Sequence, residues 1–226
     1  MLFKIIDHNY NRRVQIASFV LKKEILKVSA KYQASTGGRY SNGISPNKQE
    51  GRFNASSQYI CSTEFSDIIR GLGNNPCISF NKELNGSNLL ILGPRPDALE
   101  ILAFSNAFPD IANIHAATAS LHNLIDIFRQ PRLTGAEQPP VYLHYRNIME
   151  LPDILTNYFH LVYSFCVFDS LYFDEKQLRQ CGKEIVRVLQ PGGISINLGF
   201  IPVFDKSDVI ELGMLRRGSN SICQKK

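Results

Sequence analysis

The stretch from Phe159 to Ile196, FHLVYSFCVFDSLYFDEKQLRQCGKEIVRVLQPGGISI, decides the fold. Leu161 to Val167 is an apolar run of strand length, rich in β-branched and aromatic residues. Asp174 then stands where a helix N-cap belongs, and Leu178, Cys181, Ile185 and Val188 recur at helical spacing, which predicts an amphipathic helix over 174–190. Pro191-Gly192-Gly193 stops that helix, since proline disfavours the helical conformation in the residue before it. Ile194 to Leu198 reads as the next strand. Strand, helix and strand in direct succession make a βαβ unit, with parallel strands and a right-handed crossover.

The same alternation extends upstream as far as Asn85-Gly86. Leu89 to Leu92, Ile111 to Ala116 and Val141 to Tyr145 read as strands, with helices expected near 97–108, 119–130 and 151–157. The expected fold class is therefore α/β: a doubly wound, mostly parallel sheet. Such a sheet takes ligands beyond the carboxyl ends of its strands, where the strand order reverses. Before residue 86 the pattern differs. Val14, Ala17, Leu21, Ile25 and Val28 predict an amphipathic helix near 12–31, and a Gly-, Ser- and Asn-rich stretch over 32–57 reads as a long loop or lid. The aromatics Tyr32, Tyr40, Phe53 and Tyr59 can close over a ligand or anchor that loop. A short helix is expected at Ser62 to Gly71. The chain thus divides into an N-terminal helical segment with a lid-like loop, 1–85, and an α/β domain, 86–226.

With 226 residues and 44% hydrophobic content, the chain can bury a full core. No apolar run reaches the roughly 20 residues needed to cross a bilayer, and the first residues lack the pattern of a secretory signal, so the expectation is a cytoplasmic protein without a membrane partner. Five cysteines without CxxC spacing predict reduced thiols and no metal site. The formal net charge of +5 comes from short basic runs that are not interleaved with aromatics, so no nucleic-acid partner is expected.

The deciding stretch resembles the fourth-to-fifth-strand segment of class I S-adenosylmethionine-dependent methyltransferases, in their type 11-like group. The matching residues are Phe159, Val162, Ser164, Val167, Leu171, Glu184, Arg187, Val188, Leu189, Pro191, Gly192 and Gly193. NIMELP at Asn147 to Pro152 is similar to the element after the family's third strand, and LLILGPRPDALEIL at Leu89 to Leu102 is similar to the turn after its first. The resemblance implies a Rossmann-like class I methyltransferase fold and S-adenosylmethionine as cofactor. It also implies a cofactor site near Gly93, Arg95, Glu100, His115, Ala116, Asn147, Ile148 and Ser164.

The pattern departs from the family at defined places. Ile91 occupies the acidic position before the first glycine, and Gly-Pro-Arg-Pro-Asp at 93–97 replaces the glycine-rich turn. His115 aligns with the carboxylate that holds the ribose, and Asn147 with the aspartate that faces the adenine amine. One branch of the family carries Gly-Pro-Arg followed by glutamate at this turn, as Gly93, Pro94, Arg95 and Glu100 do here. In that reading Arg95 pairs with the cofactor's carboxylate; in the other, Arg95 and Glu100 are surface charges at a helix start. Asp169 stands near the family's histidine after the fourth strand and is either a base for the acceptor or a loop residue. His144 and His160, at strand ends, read as structural. After Leu198 the chain is shorter than the roughly 45 residues that a further helix and hairpin take, so a five- or six-stranded sheet is expected, its edge shortened at the sixth and seventh strands.

The function implied is methyl transfer from S-adenosylmethionine to a small-molecule or glycan-type acceptor. Its competitor is a methyltransferase-like binding or scaffold domain that has lost the cofactor. A nucleotide-binding oxidoreductase would share the architecture but need the missing GxGxxG.

Overall fold

Leu89, Leu90, Ile91 and Leu92 are each at most 1% exposed, as in a strand covered on both faces. They belong to β2 (Asn88–Leu92). In a computed structural model of the chain, the residues described are 14–19, 86–130, 133, 139–165, 167–168, 173–199, 201–213 and 221–226. The other strands are β1 (Val14–Phe19), β3 (Asn113–Thr118), β4 (Val141–Tyr145), β5 (Phe159–Phe165), β6 (Leu189–Leu198), β7 (Val209–Gly213) and β8 (Ser221–Lys225). They form one sheet in the order β1-β4-β3-β2-β5-β6-β8-β7. β2 pairs parallel with β3 on one side and with β5 on the other, so the chain reverses its direction of growth across β2.

Alternation along each strand makes two cores. Leu89, Ile91, Leu161 and Tyr163 face α1 (Leu99–Ala107) and α2 (Leu121–Phe128), with Phe104 set edge-on to Tyr163 at 5.0 Å between ring centroids. Leu90, Leu92 and Val162 face α3 (Glu175–Val188), which contributes Cys181, Ile185 and Val188. The start of α3 is a capping box: Asp174 Oδ1 accepts from the Gln177 amide at 2.8 Å and the Asp174 amide donates to Gln177 Oε1 at 2.9 Å. The helix stops at Val188, because Leu189 is already extended and pairs with Phe159 before the Pro-Gly-Gly step.

The structure departs from the sequence reading at several elements. Val14 to Phe19 is a strand parallel to β4, not the start of a helix; its register shifts between Ile16 and Ser18, leaving Ala17 exposed at a bulge of the kind found on sheet edges. The strand expected over Ile111 to Ala116 runs instead from Asn113 to Thr118, since the Ile111 amide is taken by a turn that donates to the Phe108 carbonyl at 3.2 Å. The helix expected over 151–157 is a single 3-10 turn, Asp153–Leu155, bracketed by extended Pro152 and by Asn157 in the left-handed region at φ 53°. The chain after β6 completes both strands of the hairpin, with β8 antiparallel to β6 and β7. The lid-like loop with Tyr32, Tyr40, Phe53 and Tyr59, the helix at Ser62 to Gly71, and Asp169 lie outside the described residues.

Between β6 and β7 no helix forms among the described residues. Residues 201–205 instead run without regular structure across α3, where the Val203 amide donates to the Leu178 carbonyl at 3.2 Å. The approach needs a residue without a side chain: a methyl at Gly182 would run into the Val203 carbonyl. Since backbone rather than a flexible side chain blocks it, Gly182→Ala is expected to destabilise the fold by about 2 to 3 kcal/mol. Chemical denaturation would show this as a lower midpoint with the slope unchanged.

Candidate functional site

β2 ends at Leu92, and the chain turns through Gly93, whose φ of 60° lies in the left-handed region. The Gly93 amide donates to the Ala117 carbonyl at 2.8 Å, and a Cβ on Gly93 would sit 2.8 Å from the Val167 side chain. The turn is tied to α2 as well: Asn123 Nδ2 donates to the Pro94 carbonyl at 3.4 Å and Gln130 Nε2 to the Pro96 carbonyl at 3.1 Å. Ala98, also left-handed at φ 57°, leads into α1. This break lies at the carboxyl edge of the sheet where the strand order reverses, the usual place for a ligand in such folds.

Arg95 and Glu100 have distinct surroundings. Arg95 Nη2 pairs with Asp97 Oδ2 at 2.7 Å, and this pair is partly exposed. Glu100 is 3% exposed and turns back onto the loop, with Oε2 accepting the Arg95 backbone N–H at 3.2 Å. Burial pushes the Glu100 carboxyl up to about 7, although backbone N–H groups and the Arg95 charge pull the other way. It therefore acts as an internal brace of the turn.

The remaining expected site residues divide between edge and interior. Asn147 follows β4 at the carboxyl edge, where its Oδ1 accepts from the Met149 amide at 3.1 Å and its carbonyl from the Glu150 amide at 3.0 Å. Ile148 beside it is buried in the α3-side core. Ala116 faces the core under α1 and α2. Ser164 is fully buried and its hydroxyl donates to Asn197 Oδ1 at 2.8 Å; Asn197 Nδ2 in turn donates to Ser195 Oγ at 3.0 Å, a polar chain between β5 and β6. Because β3 runs two residues further than expected, His115 sits in mid-strand, and Thr118 ends the strand with its Oγ1 accepting from the Ser120 amide at 3.0 Å. No sequence signal marked Thr118, since its place depends on where the ladder with β2 ends.

His115 and His144 form a buried stacked pair, with His115 Nδ1 2.9 Å from His144 Nε2. Tyr142 stacks on His115, while Tyr158 and Phe159 stand edge-on to it. Burial lowers His115 to about 3 and His144 to about 4, with each also opposed by a neighbouring cation or histidine. Both are neutral at pH 7. At the opposite end of the sheet, His160 Nδ1 accepts the Asn88 amide at 3.2 Å. Among the described residues no cluster of three or more His, Cys, Asp or Glu is placed to hold a metal, and no helix is long and apolar enough to cross a membrane.

A parallel core with β2 between β3 and β5, a glycine turn after β2, and an antiparallel hairpin beside β6 make this a Rossmann-like class I methyltransferase fold. No family model and no curated protein sequence matches the chain. Similar solved structures include the N-methyltransferase NodS from Bradyrhizobium japonicum WM9 in complex with S-adenosyl-L-homocysteine, at 15% identity and TM-score 0.47, covering 68% of this chain and 90% of that one. The antibiotic-resistance methyltransferase Kmr aligns at 15% identity and TM-score 0.45, over 64% of this chain and 89% of that one. A point mutant of the 16S rRNA (adenine(1408)-N(1))-methyltransferase from Catenulisporales acidiphilia aligns at 16% identity and TM-score 0.41, over 54% of this chain and 57% of that one. At these identities the likeness is one of fold. The expectation that excluded a nucleic-acid partner is withdrawn, because structures similar to this chain include an rRNA methyltransferase.

The buried ionisable groups set the pH dependence of stability. For each histidine the folded value lies below the ordinary 6.5, so the unfolded chain takes up the proton first and stability falls as pH drops below 6.5, by up to about 1.4 kcal/mol per pH unit. Glu100 has the opposite sign: its folded value of about 7 exceeds the ordinary 4.5, so its contribution is present below 4.5 and is lost as pH rises through 7. Between about 4.5 and 6.5 Glu100 therefore offsets one of the two histidines. Denaturation midpoints measured over that range should fall with acid in the parent chain, and more steeply in Glu100→Gln.

Proposed function

We propose that the chain binds S-adenosylmethionine at the carboxyl edge of β2, β3 and β4 and transfers its methyl group to an acceptor presented beside β5. The carrying observation is the glycine turn at Gly93, set where the strand order reverses and followed directly by α1. The edge residues fit the cofactor at its two ends. Arg95 offers a guanidinium for the amino-acid carboxylate, and Asp97 already occupies it with the same kind of group that the ligand would bring. Asn147 lies at the adenine end, and its oxygen has a second lone pair beyond the one taken by Met149. At the ribose, Thr118 presents one hydroxyl where the family's carboxylate takes two bonds.

S-adenosylmethionine supplies an activated methyl on a sulfonium, so the protein's part is to bind, orient and exclude water. Glu100 braces the turn from inside, and the Val167 side chain packs against Gly93 to close it from the β5 side. The competing reading, a binding or scaffold domain without methyl transfer, draws on one specific feature: no carboxylate ends β3, where the ribose would lie.

Calorimetric titration with S-adenosylhomocysteine separates the two readings: saturable binding supports the proposal, and none at millimolar ligand would refute it. In a chain that binds, Arg95→Ala should remove a charge-assisted pair worth about 1.5 to 3 kcal/mol and weaken affinity roughly ten- to a hundredfold. Asp97→Asn, which removes the competing carboxylate, should leave affinity equal or tighter. Weakening by both substitutions would show that Arg95 and Asp97 act as a unit and not as rivals.

A further inference from the structure

We infer that Glu184 and Arg187, on the last turns of α3, are positioning residues for the adenine side of the site. They hold the connection between β4 and β5 that carries Asn147. The inference rests on the proposed cofactor reading for what that connection binds; the restraint itself is independent of it.

The β4–β5 connection lacks a helix of its own, having only the 3-10 turn Asp153–Leu155. Its turns are closed by local hydrogen bonds, and Leu151, Asn157 and Tyr158 are tied to α3. Glu184 Oε2 accepts the Leu151 amide at 3.1 Å, and Arg187 Nη2 donates to the Leu151 carbonyl at 2.9 Å, so both polar groups of one residue are held by two side chains. Arg187 Nη1 donates to Thr156 Oγ1 at 2.6 Å. Glu184 and Arg187 orient each other through Nη2 to Oε2 at 2.8 Å and Nε to Oε1 at 3.2 Å. The helix's last carbonyls complete the strap, with Arg187 accepting from the Asn157 amide and Val188 from the Tyr158 amide, each at 2.9 Å.

The planar fork of Arg187 reaches two segments of the connection and the carboxylate at once, which a lysine ammonium on a flexible stem does not reproduce. The turn formed by Asn147 and Glu150 lies directly before the clamped Leu151, and the Asn147 oxygen also accepts the Met149 amide. Fixing Leu151 thus fixes the end of the turn that presents Asn147.

Arg187→Ala, Arg187→Lys and Glu184→Gln test the inference through two measurements on the full chain: backbone hydrogen exchange over 147–156 and calorimetric affinity for S-adenosylhomocysteine well below the unfolding temperature. Arg187→Ala is expected to speed exchange at Leu151 by about tenfold or more relative to the β2 and β5 amides, and to weaken affinity about tenfold. Arg187→Lys should recover part of each effect. A residue that only stabilised the fold would lower the unfolding temperature and leave the affinity of the folded protein unchanged, and that result overturns the inference. Unchanged exchange at Leu151 overturns it too. Should Arg187→Ala not fold, Glu184→Gln, which keeps size and packing, carries the same two readouts. If the parent chain binds no S-adenosylhomocysteine, the cofactor reading falls while the exchange result still decides whether the clamp exists.

Discussion

The position of β2, paired parallel on both sides and buried on both faces, is the constraint from which the rest follows. A strand so placed must find helices on each face, and α1, α2 and α3 supply them. It also forces the chain to leave the sheet at Gly93 with β3 on one side and β5 on the other. The two crossovers diverge there, opening the edge at which ligands meet such sheets. A shift of β2 to the sheet margin would remove both the core and that edge.

Around this strand the fold uses few helices and compensates with close backbone contacts. The connection between β4 and β5 has only a 3-10 turn, and side chains of α3 take its polar groups. The stretch between β6 and β7 has no helix among its described residues, and its backbone lies against Gly182 instead. Both arrangements work because α3 is the best-formed helix of the described domain, capped at its start and buried along one stripe. Buried backbone groups need partners wherever secondary structure is absent, and here one helix provides them for two connections.

The edge itself is polar but not strongly acidic. Arg95 is held by Asp97, Glu100 faces inward, and Thr118 ends β3.

Local chemistry in the sequence determined the alternation of strand and helix and the capped helix after Asp174, while the glycine turn after β2 was legible through resemblance to a family. Each depends on residues a few positions apart: a cap and its stripe, an apolar run, a glycine able to take positive φ. The doubly wound, mostly parallel sheet was legible from that alternation and from resemblance to a family, and the structure bears it out. What tertiary structure decided are the features whose partners lie far along the chain. Val14 to Phe19 has spacing that suits a helix, yet it is a strand because the free edge of β4 offers it a ladder. His115 falls short of the sheet edge because β3 ends where its pairing with β2 and β4 ends, two residues beyond the apolar run that marked it. Ser164 is satisfied in the core because Asn197, brought alongside by the β5–β6 register, accepts its hydroxyl hydrogen bond. Periodicity reports which face a residue occupies, but only the register between distant strands sets its depth and its partner.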